Sequence, residues 1–362
     1  MGRMRIVVKI GSSSLTNEKA QIDDMKFTDH VDAIAQLRKE GHEVIVVSSG
    51  AVAAGFAQLG YSSRPITLKG KQAAAAVGQG LLIQAYMKRF LDYQITPAQI
   101  LLTRSDFSDR LRYKNAYETL MELLERRILP IINENDTVSV EELTFGDNDM
   151  LSALVSGLVH ADHLIILTDI NGIYNANPKV NPRAKKFDYL ECITEEILEA
   201  AKGSGSKIGT GGMKSKLNAA KTACSLGVPV FIGKEFGKEK LINIIKGKGD
   251  GTYIENERLP VINTRRQWIA FHSKVTGKIY IDKGAEEAIL LKGKSLLPAG
   301  VNEINGDFQK GDVVEVVSAH KVIGKGEVSC SSEELKKCIL INDKPYYLSS
   351  NEVIHRNKWV RI

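Results

Sequence analysis

A chain of 362 residues, 43% hydrophobic, 25% charged and 6% aromatic, has ordinary globular composition and the length of about two domains. It can bury a core of normal size, so no staple is required; the four cysteines (Cys192, Cys224, Cys330, Cys338) show neither C-x-x-C nor zinc-finger spacing. A net charge of +6 favours anionic partners without demanding nucleic acid, and no apolar run approaches the roughly 18 residues of a membrane span. The chain opens on a strand rather than a signal peptide, so a soluble protein in a reducing, cytoplasmic setting is expected.

The first predicted strand, Arg5–Lys9, runs into Lys9-Ile10-Gly11-Ser12-Ser13-Ser14. Backbone N–H groups beside a lysine ammonium suit a polyphosphate. Taken alone, the lysine could equally be a side chain snorkelling at a sheet edge. Thr28 is read as the cap of a helix carrying Val31, Ile34, Ala35 and Leu37, which Gly41 ends. Strand Glu43–Ser48 leads into Ser48-Ser49-Gly50-Ala51. That segment is either a tight turn or a set of donors for an anion at a helix start. Helix Lys71–Tyr93, strand Ile95–Leu102 and helix Tyr113–Arg127 follow.

Strand Ile128–Asn133 ends in Asn133-Glu134-Asn135-Asp136, and Gly146-Asp147-Asn148-Asp149 opens an apolar helix over 148–160. Such loops are often solvated turns, and a carboxylate at a helix start is favoured by the dipole alone. Two of them meeting one sheet edge would instead accept from a substrate ammonium and orient lysines or a metal. Strand His163–Thr168 continues into Thr168-Asp169-Ile170-Asn171-Gly172, a turn or a holder of ribose, base or lysine. His160 and His163 lack a third ligand nearby, so no metal is expected there.

The segment Gly209-Thr210-Gly211-Gly212-Met213-Lys214-Ser215-Lys216 precedes a helix over Met213–Leu226. It is not a Walker A loop, which needs glycine directly before its lysine. It is either a flexible connector or a second phosphate loop able to close over nucleotide. Strand Val228–Ile232 is the last of its kind.

These strands are apolar on both faces and alternate with helices. The pattern predicts an α/β three-layer αβα sandwich with a mostly parallel central sheet. Ligands then bind at the carboxyl ends of the strands, where Lys9, Ser49, Asn133–Asp136 and Thr168-Asp169 fall. After Pro260 the texture changes to short strand-like runs, Lys278–Ile281, Val313–Val317 and Cys338–Ile341, punctuated by Gly, Asn and Asp. The expected division is a catalytic domain over 1–256, a linker over 257–271 and a small C-terminal β-rich domain over 272–362.

Taken together and in order, these loops resemble the amino acid kinase family, in its branch that phosphorylates glutamate, over residues 4 to about 255. Residues 272 to about 352 look like a PUA domain. The Asn-Glu-Asn-Asp and Gly-Asp-Asn-Asp pair is more specific than any one glycine loop, and Ser48-Ser49-Gly50-Ala51 stands where acetylglutamate kinases carry a glycine-rich run. The resemblance implies the amino acid kinase fold and ATP-dependent phosphorylation of the γ-carboxylate of L-glutamate, the first step of proline synthesis, with proline as inhibitor. Another carboxylate or a carbamate is the alternative acceptor.

The implied catalytic residues are Lys9, Lys216, Asp149 and Asp169, with Asp169 holding one or both lysines and Asp149 orienting a lysine or a magnesium-bound water. Ser49, Gly50, Ala51, Asn133, Asp136, Asp147 and Asn148 are implied for glutamate, with Asp136 accepting from the ammonium and Ser49 and Asn148 donating to carboxylate. Lys9, Gly11, Ser12, Thr168, Asp169, Thr210, Gly211, Gly212, Met213, Lys214, Ser215 and Lys216 are implied for nucleotide. Mg2+ should ride on the ATP phosphates. Lys9 and Lys216 are read as loop residues whose loss spares the fold. A homo-oligomer and contact with the next enzyme of proline synthesis are expected, and a membrane partner is not. RNA binding by the PUA-like part is disfavoured, because it lacks a dense basic stripe with interleaved aromatics. A chain ending near Glu257 is expected to keep turnover.

Overall fold

The computed structural model describes residues 2–17, 19, 21–138, 148–178, 180–200, 212–255, 264–340 and 352–361. Its contacts divide the chain into two units, one of residues 1–106 and 114–261, the other of residues 107–113 and 262–362.

The first unit begins with β1 (Arg5–Ile10), a short turn of helix α1 (Ser12–Leu15), α2 (Asp24–Lys39), β2 (Glu43–Ser48), α3 (Ala51–Gly55) and α4 (Leu68–Leu91). Then come β3 (Pro97–Leu102), α5 (Arg104–Ser108), α6 (Arg110–Glu125), β4 (Leu129–Glu134), α7 (Asn148–Leu158) and β5 (His163–Leu167). The remainder is β6 (Ile173–Tyr174), β7 (Lys186–Phe187), β8 (Tyr189–Leu190), α8 (Glu195–Ala200), α9 (Met213–Ser225), β9 (Val230–Gly233), α10 (Lys240–Ile245) and β10 (Gly251–Ile254). Eight strands form one sheet in the order β3-β4-β2-β1-β5-β9-β10-β8. All its pairs are parallel except β9 with β10. Ile6, Val7, Val8, Val44, Ile45, Val46, Ile131, Ile132, Ile165 and Ile166 are buried whichever face they point to, as strands covered on both sides must be.

Two helix starts differ from the sequence expectation. Asp23, not Thr28, caps α2, its carboxylate accepting from the N–H groups of Met25 and Lys26 at 3.0 and 3.1 Å. The Thr28 hydroxyl donates back to the Asp24 carbonyl at 2.7 Å, a bond made inside a helix rather than at its start. The helix read from Lys71 begins at Leu68, with Thr67 as its cap accepting from Gly70 N–H. The short α3 was not expected at all. It exists because two glycines let backbones touch: a Cβ on Gly78 would lie 1.8 Å from the Ala51 carbonyl oxygen, and one on Gly55 2.1 Å from that of Ala74. Only paired glycines allow that approach. It fixes the segment that carries Ser49, Gly50 and Ala51.

The second unit contains α11 (Thr264–Gln267), β11 (Val275–Ile281), α12 (Lys283–Leu290), β12 (Val301–Gly306), β13 (Val313–Ser318), β14 (Lys321–Val328), α13 (Ser332–Leu340) and β15 (Ile354–Arg361). Its five-stranded sheet runs β12-β11-β13-β14-β15 around Ile279, Phe308, Val314, Val316, Val328, Leu335 and Ile354. The strand expected at Cys338–Ile341 is instead the end of helix α13, as far as its described residues extend. The helix opens on a capping box. Ser331 N–H donates to the Glu334 carboxylate at 2.9 Å, and Glu334 N–H donates back to the Ser331 hydroxyl at 3.2 Å.

This unit also takes in Phe107–Tyr113 from the first third of the chain. Phe107 and Tyr113 are buried and pack on His272 at ring distances of 6.0 and 5.3 Å. The buried Glu327 carboxylate collects Arg110 and Lys358 at 2.8 Å and Arg265 at 3.2 Å. A chain ending near Glu257 would strip these partners away. Uncovering two large aromatics costs about 3–6 kcal/mol. We therefore expect such a chain to unfold at lower temperature than the full chain and to aggregate on mild heating. Calorimetry of both forms checks this, and equal transition temperatures would contradict it.

Candidate active site

The carboxyl ends of β1, β2, β4 and β5 lie side by side in the sheet, and the loops expected to carry chemistry leave from them. At the centre stands Asp149, in the first turn of α7 and fully buried. Its two carboxylate oxygens face two different lysines. Oδ1 pairs with Lys9 Nζ, and Oδ2 accepts from Lys216 Nζ at 3.0 Å. Lys9 is 3% exposed and Lys216 8%, so both ammonium groups are nearly withdrawn from water. Neither lies in a loop as expected: Lys9 is the penultimate residue of β1, and Lys216 sits in the first turn of α9.

Burial pushes the Asp149 carboxyl upward. The charges and hydrogen bonds of Lys9 and Lys216 outweigh burial and hold it below the usual carboxylate range. The lysine pairing, expected of Asp169 and as one of two roles for Asp149, is made by Asp149. Asp169 instead accepts from the Thr168 hydroxyl at 3.1 Å.

Beside this triad runs the β1–α1 turn. Gly11 is close enough to Lys9 that a Cβ there would lie 3.3 Å from the ammonium nitrogen. Gly212 precedes α9 with no side chain capping it. Open N–H groups at a helix start favour an anion. Met213 is buried, Ser215 half-buried and Lys214 exposed, its charge felt by Glu195. Thr210, Gly211 and Asp147 lie outside the described residues.

A second polar group gathers around Asn148. Its Nδ2 donates to Asn133 Oδ1 at 2.8 Å, to Ser49 Oγ at 2.9 Å and to the Ser48 carbonyl at 3.3 Å. Three acceptors around one nitrogen fix the amide orientation. Asn148 Oδ1 is left buried with no hydrogen-bond partner among the described residues. This reverses the expectation that Asn148 donates to a substrate carboxylate: its free atom is an acceptor. Ser49, which accepts from Asn148, keeps its own O–H to give. Gly50 at the head of α3 has φ +111°, a conformation that only glycine adopts without strain.

Three residues in this region carried no signal in the sequence. Gln79 on α4 accepts from Asn133 Nδ2 at 2.8 Å. Tyr86 on the same helix is buried, 2.8 Å from the Ser48 hydroxyl, and burial raises its phenol pKa. Arg64 faces Asp136. Burial raises the Asp136 pKa, and the Arg64 charge opposes that rise. All three come from the 56–91 stretch, whose periodicity spoke only of packing.

Among the described residues no group of three or more His, Cys, Asp or Glu could hold a metal ion. Asp149, the one buried carboxylate at the centre, is already committed to two ammonium groups. No described helix is long and apolar enough to cross a membrane.

Two buried ammonium groups yoked by one carboxylate, at the strand ends of a parallel sheet with Gly11 beside one and Gly212 before the helix of the other, define an α/β phosphotransferase site. The model of the amino acid kinase family matches residues 4–234, and that of the PUA domain residues 277–340. The chain belongs to the amino acid kinase family. It is 64% identical to glutamate 5-kinase 1 of Bacillus licheniformis, with both chains covered in full. It is 62% identical to glutamate 5-kinase 1 of Bacillus subtilis, again over all of both. Glutamate 5-kinase of Oceanobacillus iheyensis is 58% identical over the whole chain and 98% of the relative.

Proposed function

We propose that this chain transfers the γ-phosphoryl group of ATP to the γ-carboxylate of L-glutamate, the first step of proline synthesis. The observation that carries the chemistry is the Lys9–Asp149–Lys216 triad; what carries the substrate is full-length identity above 60% to two glutamate 5-kinases.

The acceptor is already an anion, so no general base is needed. The protein must bring two anions into line and offset the charge spreading over the transferring phosphoryl. Lys9 and Lys216 supply that charge from either side of Asp149, whose fixed carboxylate keeps both in register. Lysines serve here as compact charges on flexible stems that can follow a moving group. Gly11, Ser12, Gly212 and the N–H groups around them receive the β- and γ-phosphates, with Mg2+ carried in on the nucleotide. Asp169 and Thr168 lie on the side of the ribose and base. Asp147, Thr210 and Gly211 are assigned as before, to glutamate and to phosphate.

The glutamate pocket is built on Ser49, Asn133, Asp136 and Asn148. Asn148 Oδ1 and the Asp136 carboxylate accept from the substrate ammonium, and Ser49 donates to a carboxylate. Asp136→Asn removes a charged acceptor within the field of Arg64. We expect KM for glutamate to rise roughly 10- to 100-fold, the scale of one charged hydrogen bond, while KM for ATP changes little. Steady-state kinetics in both substrates check this, and matched rises in the two constants would contradict the assignment.

Inhibition by proline, a homo-oligomeric state and association with the next enzyme of the pathway belong to the same reading. The experiment that tests the whole is ADP release measured against a panel of glutamate, N-acetylglutamate, aspartate and carbamate. Glutamate should be the best acceptor by at least an order of magnitude. Equal turnover with any of the others would overturn the substrate assignment.

A further inference from the structure

Among the described residues Lys240 is the largest charged side chain fully withdrawn from water, with its side chain 0% exposed, and nothing in the mechanism above uses it. It opens α10, on the far side of the β9 turn. Its ammonium pairs with Asp29 on α2 and donates to His30 Nδ1 at 3.0 Å. Asp29 also accepts from Gly237 N–H at 2.7 Å, where φ of +87° bends the chain back toward α2. Burial lowers the Lys240 pKa, and Asp29 opposes that.

An ammonium has no lone pair, so His30 Nδ1 must be the acceptor in this bond. The ring proton then sits on Nε2, which lies 3.1 Å from the Ser14 carbonyl oxygen. Burial first, and Lys240 second, lower the His30 pKa to about 3, so the ring stays neutral. Ser14 belongs to α1, the turn that follows Gly11. The other carbonyls of that turn are also held. Thr16 Oγ1 donates to Ser12 O at 2.9 Å, and Lys26 Nζ donates to Thr16 O at 2.7 Å and Ser13 O at 3.4 Å. Asp29, His30, Ser13, Ser14, Thr168 and Asp169 all line one cleft of about 400 Å³.

We propose that Asp29, Lys240 and His30 form a positioning relay for the phosphate loop. Lys240 fixes the ring tautomer of His30, and His30 in turn pins the Ser14 carbonyl, so that the turn, closed by Ser14 N–H donating to Gly11 O, presents the N–H groups of Gly11, Ser12 and Ser13 to nucleotide beside Lys9. The relay rests on reading that turn as a nucleotide loop. It does not depend on which acceptor is phosphorylated.

Three variants and one spectrum test it. His30→Leu keeps the volume and removes the donor to Ser14; His30→Gln restores an amide donor at the same reach. His30→Leu should weaken MgADP binding, measured by calorimetry without acceptor, by roughly tenfold, the scale of one lost hydrogen bond. KM for ATP should rise in parallel and KM for glutamate should stay put. His30→Gln should recover most of the loss, which a purely structural role for the ring would not produce. In the 15N spectrum of the wild-type ring at neutral pH, Nε2 should carry the proton, and Lys240→Met should redistribute it between the nitrogens. MgADP affinity unchanged in a folded His30→Leu, or a wild-type ring protonated on Nδ1, would overturn the relay. If His30→Leu does not fold, the wild-type spectrum decides. Loss of glutamate turnover in the wild type with the MgADP result intact would strike the proposed substrate and leave the relay standing.

Discussion

Asp149→Ala should be the most damaging single change in the catalytic unit, lowering both stability and turnover. The carboxylate has no exposure to water and is the shared counter-charge of Lys9 and Lys216. Removing it leaves two ammonium groups, 3% and 8% exposed, facing each other without an anion between them. Breaking a buried ion pair by deleting one partner costs about 3–5 kcal/mol, a large part of the total stability of an ordinary domain.

The same loss should appear in the wild type on acidification, and its sign follows from the direction of the shift. The folded-state pKa lies below the unfolded one, so the unfolded chain binds the proton more readily. The stability contributed by Asp149 is fully present above the ordinary carboxylate pKa of about 4. It fades as pH falls from there through the lower, folded-state value. Polyphosphate can replace the missing charge, so MgATP should raise the melting temperature of Asp149→Ala by more than that of the wild type. Differential scanning calorimetry with and without nucleotide reads both effects. A variant as stable as wild type, with no excess response to MgATP, would show that the lysines do not depend on Asp149.

The second large effect is expected on rate. Lys9→Ala and Lys216→Ala each remove one preorganised charge from the path of the phosphoryl group, which costs about 10²–10³ in kcat. Stability should suffer less than with Asp149→Ala, because the carboxylate keeps one lysine in either variant. The fold should therefore survive, though not for the reason the sequence suggested, since both side chains belong to regular elements. Nucleotide affinity separates the two ways a lysine could act. Where kcat falls while KM for ATP holds, the ammonium acts in the transition state. Near-normal kcat with a raised KM would mean that it binds ground and transition states alike, and the catalytic role would fail.

The alternation of strands and helices, and the loops at the strand ends, could be read directly because buried parallel strands are apolar on both faces and their turns are not. Lys9, Asp149 and Lys216 were each legible as candidates, but their mutual pairing was not. Which carboxylate meets which ammonium is decided by three-dimensional packing across more than 60 residues, and the sequence offered Asp169 and Asp149 on equal terms. Asn148 was found, but with its role inverted, since the direction of an amide depends on what lies around it. Gln79, Tyr86, His30 and Lys240 sit in helices whose periodicity signals only burial, and Arg64 sits in the irregular segment before α4, where no pattern marks it. Short features fared worst. The α3–α4 crossing rests on Gly55 and Gly78, whose close approach no local pattern announces, and the end of α13 reads as a strand because its apolar run outweighs the Ser331–Glu334 capping box before it.

The central claim is that these groups make an acyl phosphate on glutamate, and that product can be caught as it forms. The chain would be incubated with MgATP, L-glutamate and hydroxylamine, and γ-glutamyl hydroxamate measured as its ferric complex alongside ADP. Hydroxamate should form in step with ADP, depend on glutamate, and fall about 10²–10³-fold in Lys216→Ala. ADP release without hydroxamate, or hydroxamate formed equally well from aspartate or N-acetylglutamate, would contradict it.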